Sequence, residues 1–311
     1  MNSFQLFGSD RWRRVAGPGL GIAGAALAVS VTVAQSLSYS SGQNVSPAFE
    51  GWETDAQGNS FFMFGYMNNN WDEEIDVPPG PDNGFSLGAD MGQPTHFLPR
   101  RNRFVFKVPV PKDFGTRELV WTLKTNGVTE KAYATLRQDY FVDNVVIASE
   151  TGALGAGSSN PAIRANKPPL VQIPGELSRA VKVGQPLPLV AMVTDDGVPR
   201  APGQNGVPMP NPAAVARRVM MPPQRITVGK SVGLHVSWFV YRGSGAVQFD
   251  PPQIKPWEDT RNGANSPWAP LWFPPPVPAD GKYATTVTFA EPARMSSGRA
   301  PMMARCSGIR N

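Results

Sequence analysis

Short runs in which apolar and polar residues alternate dominate this chain. Phe61-Phe62-Met63-Phe64-Gly65-Tyr66 is rich in β-formers. Arg103 to Val108 alternates strictly and sets Phe104, Phe106 and Val108 on one face. Glu118 to Lys124 does the same with Leu119, Trp121 and Leu123. Successive side chains of a strand point to opposite faces, so a period of two predicts half-buried strands. Asn126-Gly127 follows directly, the residue pair best suited to a two-residue hairpin turn, and Thr129 to Leu136 supplies the returning strand. Tyr140 to Ile147 predicts one more strand. No window carries a sustained 3.6-residue apolar period. The chain is therefore expected to be all-β.

Glycine and proline number 31 and 33, about a fifth of the 311 residues, as a fold of many turns requires. Thr151 to Asn160 is small and uncharged, which predicts a flexible linker over 151–165. It separates two expected antiparallel β-sandwich domains, 45–150 and 166–292. Each is long enough to bury its own core, and the two are expected to move without a fixed interface. Seven prolines in 198–225 and nine in 251–280 predict two long insertions between strands of the second domain.

Asn166 to Val171, Val183 to Leu187 and Leu189 to Gly197 resemble the opening strands of bacterial PKD-like, immunoglobulin-like modules. Leu234 to Phe239 is similar to their middle strand, where the resemblance makes Trp238 a core residue. Gly245 to Phe249 and Thr285 to Pro292 resemble the later strands. The resemblance implies a spacer or binding unit and is silent on catalysis. Through Gly65-Tyr66-Met67-Asn68, Trp71-Asp72-Glu73-Glu74 and Gly92-Gln93-Pro94-Thr95-His96-Phe97, the first domain resembles exported bacterial proteins to which no activity is attached.

The first 34 residues have the pattern of an export signal. Arg11, Arg13 and Arg14 precede a charge-free stretch from Val15 to Ala34, whose apolar centre is Ala25 to Ala34. Thr32 and Ala34 suit cleavage before Gln35. An uncleaved anchor is the alternative, since 20 uncharged residues can just span a bilayer. Either way the rest of the chain is expected outside the cytoplasm: periplasmic, at the cell surface or secreted.

The net charge of +5 belongs to the chain's ends. Setting aside Asp10, the three leader arginines and Arg294, Arg299, Arg305 and Arg310 leaves 22 basic and 23 acidic residues. No basic stripe remains for nucleic acid. A single cysteine, Cys306, and two histidines, His96 and His235, cannot form an intrachain disulfide or a Cys/His zinc set. No metal, cofactor or catalytic residue is expected.

Candidate chemistry is correspondingly sparse. Trp71 to Asp76 with Asp82 is the densest acidic cluster, a calcium site or a glycosidase carboxylate pair if not a solvated loop. Asp195-Asp196-Gly197 could bind calcium at a domain end, but aspartate and glycine also have the composition of a turn, which is the reading expected here. His96 lacks a neighbouring nucleophile motif, and His235 is expected on a strand face. Trp257, Trp268 and Trp272 form the one plausible ligand-binding group, able to stack on a sugar or anchor a protein, or else to pin down the proline-rich insertion. The leading expectation is a non-catalytic structural or interaction module. A carbohydrate-binding accessory protein using the Trp-rich loop comes second, and a hydrolase without a recognisable motif third. The expected partner is an extracellular protein or a glycan.

Residues 293–311 break the pattern of the module that 166–292 resembles. After Glu291-Pro292 that module continues with a Gly-x-Tyr turn and an alternating strand. Ala293 to Gly308 instead scatters arginines, methionines and serines. Back-translated with chosen synonymous codons and read one nucleotide earlier, it encodes Gly-Thr-Tyr-Val-Leu-Arg-Ala-Arg-Ala-Asp-Asp-Gly-Ala-Leu-Phe-Arg. The expected cause is a frameshift, which would leave an unpaired strand edge. Resequencing the locus should return codons compatible with that shifted frame; an intact frame with unrelated codons after Pro292 would refute it.

Overall fold

The computed structural model describes residues 39–143, 146–147, 167, 169–198 apart from 177, 203–213 apart from 205 and 210, 234–257 apart from 244–245, 275–291, and the backbone of 302–306. The leader, the linker, Trp268 and Trp272 lie outside these residues. The strands are β1 (Val45–Thr54), β2 (Ser60–Asn68), β3 (Ile75–Asp76), β4 (Asn83–Phe85), β5 (His96–Phe97), β6 (Arg100–Pro109), β7 (Leu119–Thr125), β8 (Val128–Ala134), β9 (Leu170–Gln172), β10 (Pro186–Thr194), β11 (Val236–Val240), β12 (Val247–Asp250), β13 (Lys282–Phe289) and β14 (Met302–Cys306). The chain is all-β, and its sheets are antiparallel: β1-β2-β6, β4-β7-β8, β3-β5, β12-β13-β10-β9 and β11-β14.

Alternation places the first core. Phe62, Phe64, Phe106 and Val108 from one three-stranded sheet meet Phe85, Leu119, Trp121, Leu123, Ala132 and Ala134 from the other. Trp121 is completely buried. It stacks on Phe85 at 5.7 Å and meets Phe106 edge-on at 5.1 Å. The turn between β7 and β8 forms where expected, with φ of +48° at Asn126 and +78° at Gly127. Positive φ at both central residues matches the right-handed twist of the strands it joins.

Two first-half expectations need correction. Phe104 does not share a face with Phe106 and Val108. The β2–β6 register shifts between Phe64 and Tyr66, and Phe104 has φ of +48°. This bulge turns Phe104 to the opposite side of the sheet, where it packs with Met63, Val142 and Ile147. The bulge continues in β1, where the register also shifts between Phe49 and Gly51. A Cβ on Gly65 would collide with the Glu50 carboxylate and with the Asn102 carbonyl, 2.4 Å away, so only glycine fits there. Among the described residues of 140–147 there is no strand. Gln138–Tyr140 is a 3₁₀ turn, Phe141 makes a single bridge to Trp52, and the Asp143 carboxylate accepts the Val146 N–H at 2.9 Å. Local side-chain bonding to the backbone overrides the β propensity of Val146 and Ile147.

In the second half Leu189, Ala191, Val193 and Val287 pack with Leu234 and Trp238. The halves are not free of each other, contrary to expectation. Leu234, Val236 and Trp238 face this second core, whereas Phe239 and Tyr241 pack into the first. The pleat of β11 and the residue after it thus feeds both cores. The tail also departs from expectation, because the backbone of Met302–Cys306 pairs antiparallel with β11 instead of leaving it bare. Such pairing uses only N–H and C=O groups, so it does not depend on which side chains the reading frame supplies. Trp121→Ala is expected to destabilise the protein by about 3–5 kcal/mol in denaturant unfolding, because it vacates the centre of the first core. Trp238→Ala should cost a comparable amount. A loss below about 1 kcal/mol at either would contradict these packing assignments.

Candidate functional site

Residues 69–99 run from the end of β2 to the start of β6 and contain only the short strands β3, β4 and β5. So little regular structure leaves many backbone groups without ladder partners, and buried amide side chains supply many of them. Asn68 Nδ2 donates to the carbonyls of Glu73 (2.8 Å) and Phe97 (3.1 Å), and its Oδ1 accepts from the Asn70 N–H. Asn70 clamps Gln43 from both ends of its amide. Asn83 donates to Val77 and Pro94 carbonyls and accepts the Trp121 indole N–H at 3.0 Å. Gln93 donates to the Asn83 and Ala89 carbonyls and accepts from the Met91 N–H. The Tyr66 hydroxyl accepts the Leu98 N–H. Each bond contributes little net, but each group left buried and unpaired would cost about 1–3 kcal/mol.

On this pinned segment lies a strongly perturbed titratable group that can carry charge near neutral pH. Asp76 pairs with His96 across the β3–β5 ladder. His96 Nδ1 lies 2.7 Å from Asp76 Oδ1, and Nε2 lies 2.8 Å from Glu74 Oε2. Burial alone would lower the imidazole's pKa, since the residue is only 8% exposed. The hydrogen bonds and charges of Asp76 and Glu74 outweigh that effect and raise it to about 9. At neutral pH His96 is an imidazolium with both N–H groups donated. It can brace two carboxylates, and it has no free lone pair with which to accept a proton.

Other residues of this stretch are tied down as well. Glu73 Oε2 accepts the Gly42 N–H at 2.6 Å. The Arg100 guanidinium stacks over Trp71 at 4.1 Å and donates to the Asn69 carbonyl. Asp82 sits on the surface, its carbonyl accepting from the Lys124 N–H. No group of three or more metal-binding side chains occurs among the described residues. Asp195 and Asp196 accept the N–H groups of Gly197 and Val198 at 2.9 and 3.0 Å, the geometry of consecutive side-chain-closed turns. Burial raises the pKa of Asp195. His235 is buried beside the start of β11. Trp257 is 9% exposed, with the Lys255 ammonium 5.6 Å from its ring centre and no hydrogen-bond partner for its indole N–H among the described residues. The sequence did not single out Glu50, whose carboxylate is buried beside Arg101 at 2.7 Å. Burial raises its pKa against the opposing effect of that guanidinium.

The sequence also gave no notice of the contact that closes over this segment. The Tyr241 carbonyl accepts the N–H groups of Thr95 (3.1 Å) and His96 (3.3 Å), and its hydroxyl donates to the Gly92 carbonyl at 2.5 Å. Arg242 is 2% exposed and grips the Asp90 carboxylate through both terminal nitrogens, at 3.0 and 2.7 Å. Its Nε donates to the Gln93 carbonyl at 2.8 Å. The Gly243 N–H donates to Thr95 Oγ1 at 2.9 Å. Hydrogen bonding to Arg242 holds Asp90 below the usual carboxylate range. Asp90 is separated from Tyr241 and Arg242 by some 150 positions, so no local motif could join them. No protein-family model matches this chain, and no curated protein or solved structure does so either.

His96 gives the site a pH dependence of known sign. Its folded pKa is raised, so its contribution is complete below about pH 6.5 and is lost as pH climbs through about 9. The contribution is at most about 3 kcal/mol, and less because Glu74 and Asp76 are partly exposed to solvent. Urea midpoints should fall between pH 6.5 and 9, and His96→Gln should flatten that decline. An unchanged slope in the variant would show that His96 does not carry the effect.

Proposed function

We propose that this chain is an exported, non-catalytic structural and interaction module, periplasmic, at the cell surface or secreted. The observation that carries this reading is the pinned segment 69–99, an irregular surface fixed to the core by side-chain amides. It contains six carboxylates and neither Lys nor Arg; Glu74 and Asp76 are compensated by His96 and Asp90 by Arg242, and Asp72, Glu73 and Asp82 complete the acidic set. Surfaces prepared in this way bind without a large ordering cost, which suits a module that displays loops from a rigid scaffold. The clamped state of His96 fits a brace better than a general base. The resemblance of 166–292 to PKD-like, immunoglobulin-like modules and the export-type leader support the same reading, and a frameshifted origin of 293–311 belongs to it. The natural partner of such an acidic surface is a basic extracellular protein segment. Glycan binding through Trp257, Trp268 and Trp272 draws no support from Trp257, which is buried.

Expression of the tagged full chain in a bacterial host should place it outside the cytoplasm, with a mature N-terminus near Gln35. Retention in the cytoplasm with residues before Val15 intact would defeat the export half of the proposal. For the interaction half, a Lys/Arg-rich probe peptide should bind at low salt and weaken with added salt. Glu73→Gln/Asp82→Asn should bind it several-fold more weakly. Equal binding by the variant would remove the acidic surface from the reading.

A further inference from the structure

The Asn126-Gly127 pair that turns β7 into β8 carries chemistry beyond its shape. An asparagine followed by glycine can cyclise, because glycine has no Cβ to keep its main-chain nitrogen from the asparagine side chain. The described residues contain Asn83-Gly84 and Asn126-Gly127, and the fold treats them oppositely. Asn83 is fully buried, with its Nδ2 on the Val77 and Pro94 carbonyls and its Oδ1 on the Trp121 indole. A Cβ on Gly84 would lie 2.6 Å from the Gly80 carbonyl, so the backbone there is closely packed. Asn126 and Gly127 are both exposed, and a Cβ on Gly127 would meet nothing within 4 Å. Among the described residues the Gly127 N–H has no acceptor, and the Asn126 amide makes one solvent-exposed bond, from Nδ2 to the Gln43 carbonyl at 2.8 Å. Such a bond exchanges with water at little net cost.

We propose that Asn126-Gly127 is a site of spontaneous, irreversible deamidation in the folded protein, from which the fold protects Asn83-Gly84. The Gly127 main-chain nitrogen attacks Asn126 Cγ. An N–Cγ bond forms, the Cγ–Nδ2 bond breaks, and the displaced amide leaves as ammonia with the proton lost from the Gly127 nitrogen. Water then adds to either carbonyl of the cyclic imide and opens it to aspartate or isoaspartate. No oxidant or reductant takes part, and water is the only co-reactant. In both products a carboxylate faces the Gln43 carbonyl where a donor stood. Asn70 Nδ2 still holds that carbonyl, so residue 43 stays tied to the pinned segment and loses its tie to the β7–β8 hairpin. Isoaspartate also inserts a methylene into the main chain of a two-residue turn, whose length sets the register of the strands it joins. The modification therefore loosens this corner of the first core. Neither export nor ligand binding enters the chemistry.

Peptide mapping by mass spectrometry tests this without any substitution. The full-length protein is held folded in warm, mildly alkaline buffer for days, beside a synthetic peptide of Thr125 to Lys131, and both are sampled over time. The peptide released between Lys124 and Lys131 should gain the mass difference between an amide and an acid and split into aspartyl and isoaspartyl isomers. Conversion at Asn126 should run within roughly tenfold of the free peptide, and conversion at Asn83 roughly a hundredfold or more below it, because Asn83 must wait for the core to open. Denaturing the protein should bring Asn83 into the reaction. An Asn126 that keeps its amide while the free peptide converts would overturn the proposal. Equal rates at Asn83 and Asn126 in the folded protein would overturn it too, since the fold would then select neither. Hydrogen exchange at Thr125 and Val128 should be faster in the separated isoaspartyl form than in the unmodified protein, and unchanged exchange would refute the loosening.

Discussion

One strand feeds two hydrophobic cores, and the arrangement of the described residues depends on it. Leu234, Val236 and Trp238 face the core of the second half, while Phe239 and Tyr241 reach the core of the first. A strand can do this because its side chains alternate between two faces. The consequence is constraint. A one-residue slip of β11 would move every side chain to the wrong core, and Tyr241 and Arg242 would miss their partners on residues 90–96. Register, packing and the polar contact between the halves therefore stand or fall together.

The second constraint is the cost of burying an irregular segment. Residues 69–99 have little ladder pairing, yet Asn83 and Gln93 within them are fully buried and several main-chain groups turn inward. Amides solve this because each presents donors and an acceptor in one plane and can bond to two backbone segments at once. Asn83 shows the economy of the arrangement: it joins two loop carbonyls to the indole of Trp121, the residue at the centre of the aromatic core. Polar fixation and apolar packing meet at that one hydrogen bond. A network of this type rigidifies when complete and is costly when broken.

Charge is handled in the same local manner. Two carboxylates share His96, Asp90 is gripped by Arg242, and Glu50 lies against Arg101. Each pair converts a residue type that often does chemistry into a brace. A surface rich in carboxylates can then be displayed on a segment that stays in place, and the proposed interaction role rests on this property.

Much of the β architecture was legible in the sequence, because strand alternation and turn chemistry are local. Trp121 and Trp238 are buried as the alternation requires, and Asn126-Gly127 turns as its left-handed preference dictates. Locality also marks where legibility ended. Phe104 was assigned to the wrong face because a bulge is fixed by the neighbouring strand, here through the close approach of Glu50 to Gly65. Tyr140 to Ile147 has the composition of a strand, but its described residues turn, because the Asp143 carboxylate takes up the Val146 N–H. The acidic residues around 72–76 were visible, whereas their engagement by His96 was not, since 20 or more positions separate Asp76 and Glu74 from the imidazole. The contact of Arg242 with Asp90 spans some 150 positions and has no sequence signature at all. The sequence by itself determined that this chain would pair strands and bury their alternate residues, since both follow from covalent geometry and the hydrophobic effect. Only the tertiary structure decided which distant polar groups would meet, because a buried charge or amide takes whichever partner the packed backbone brings within about 3 Å.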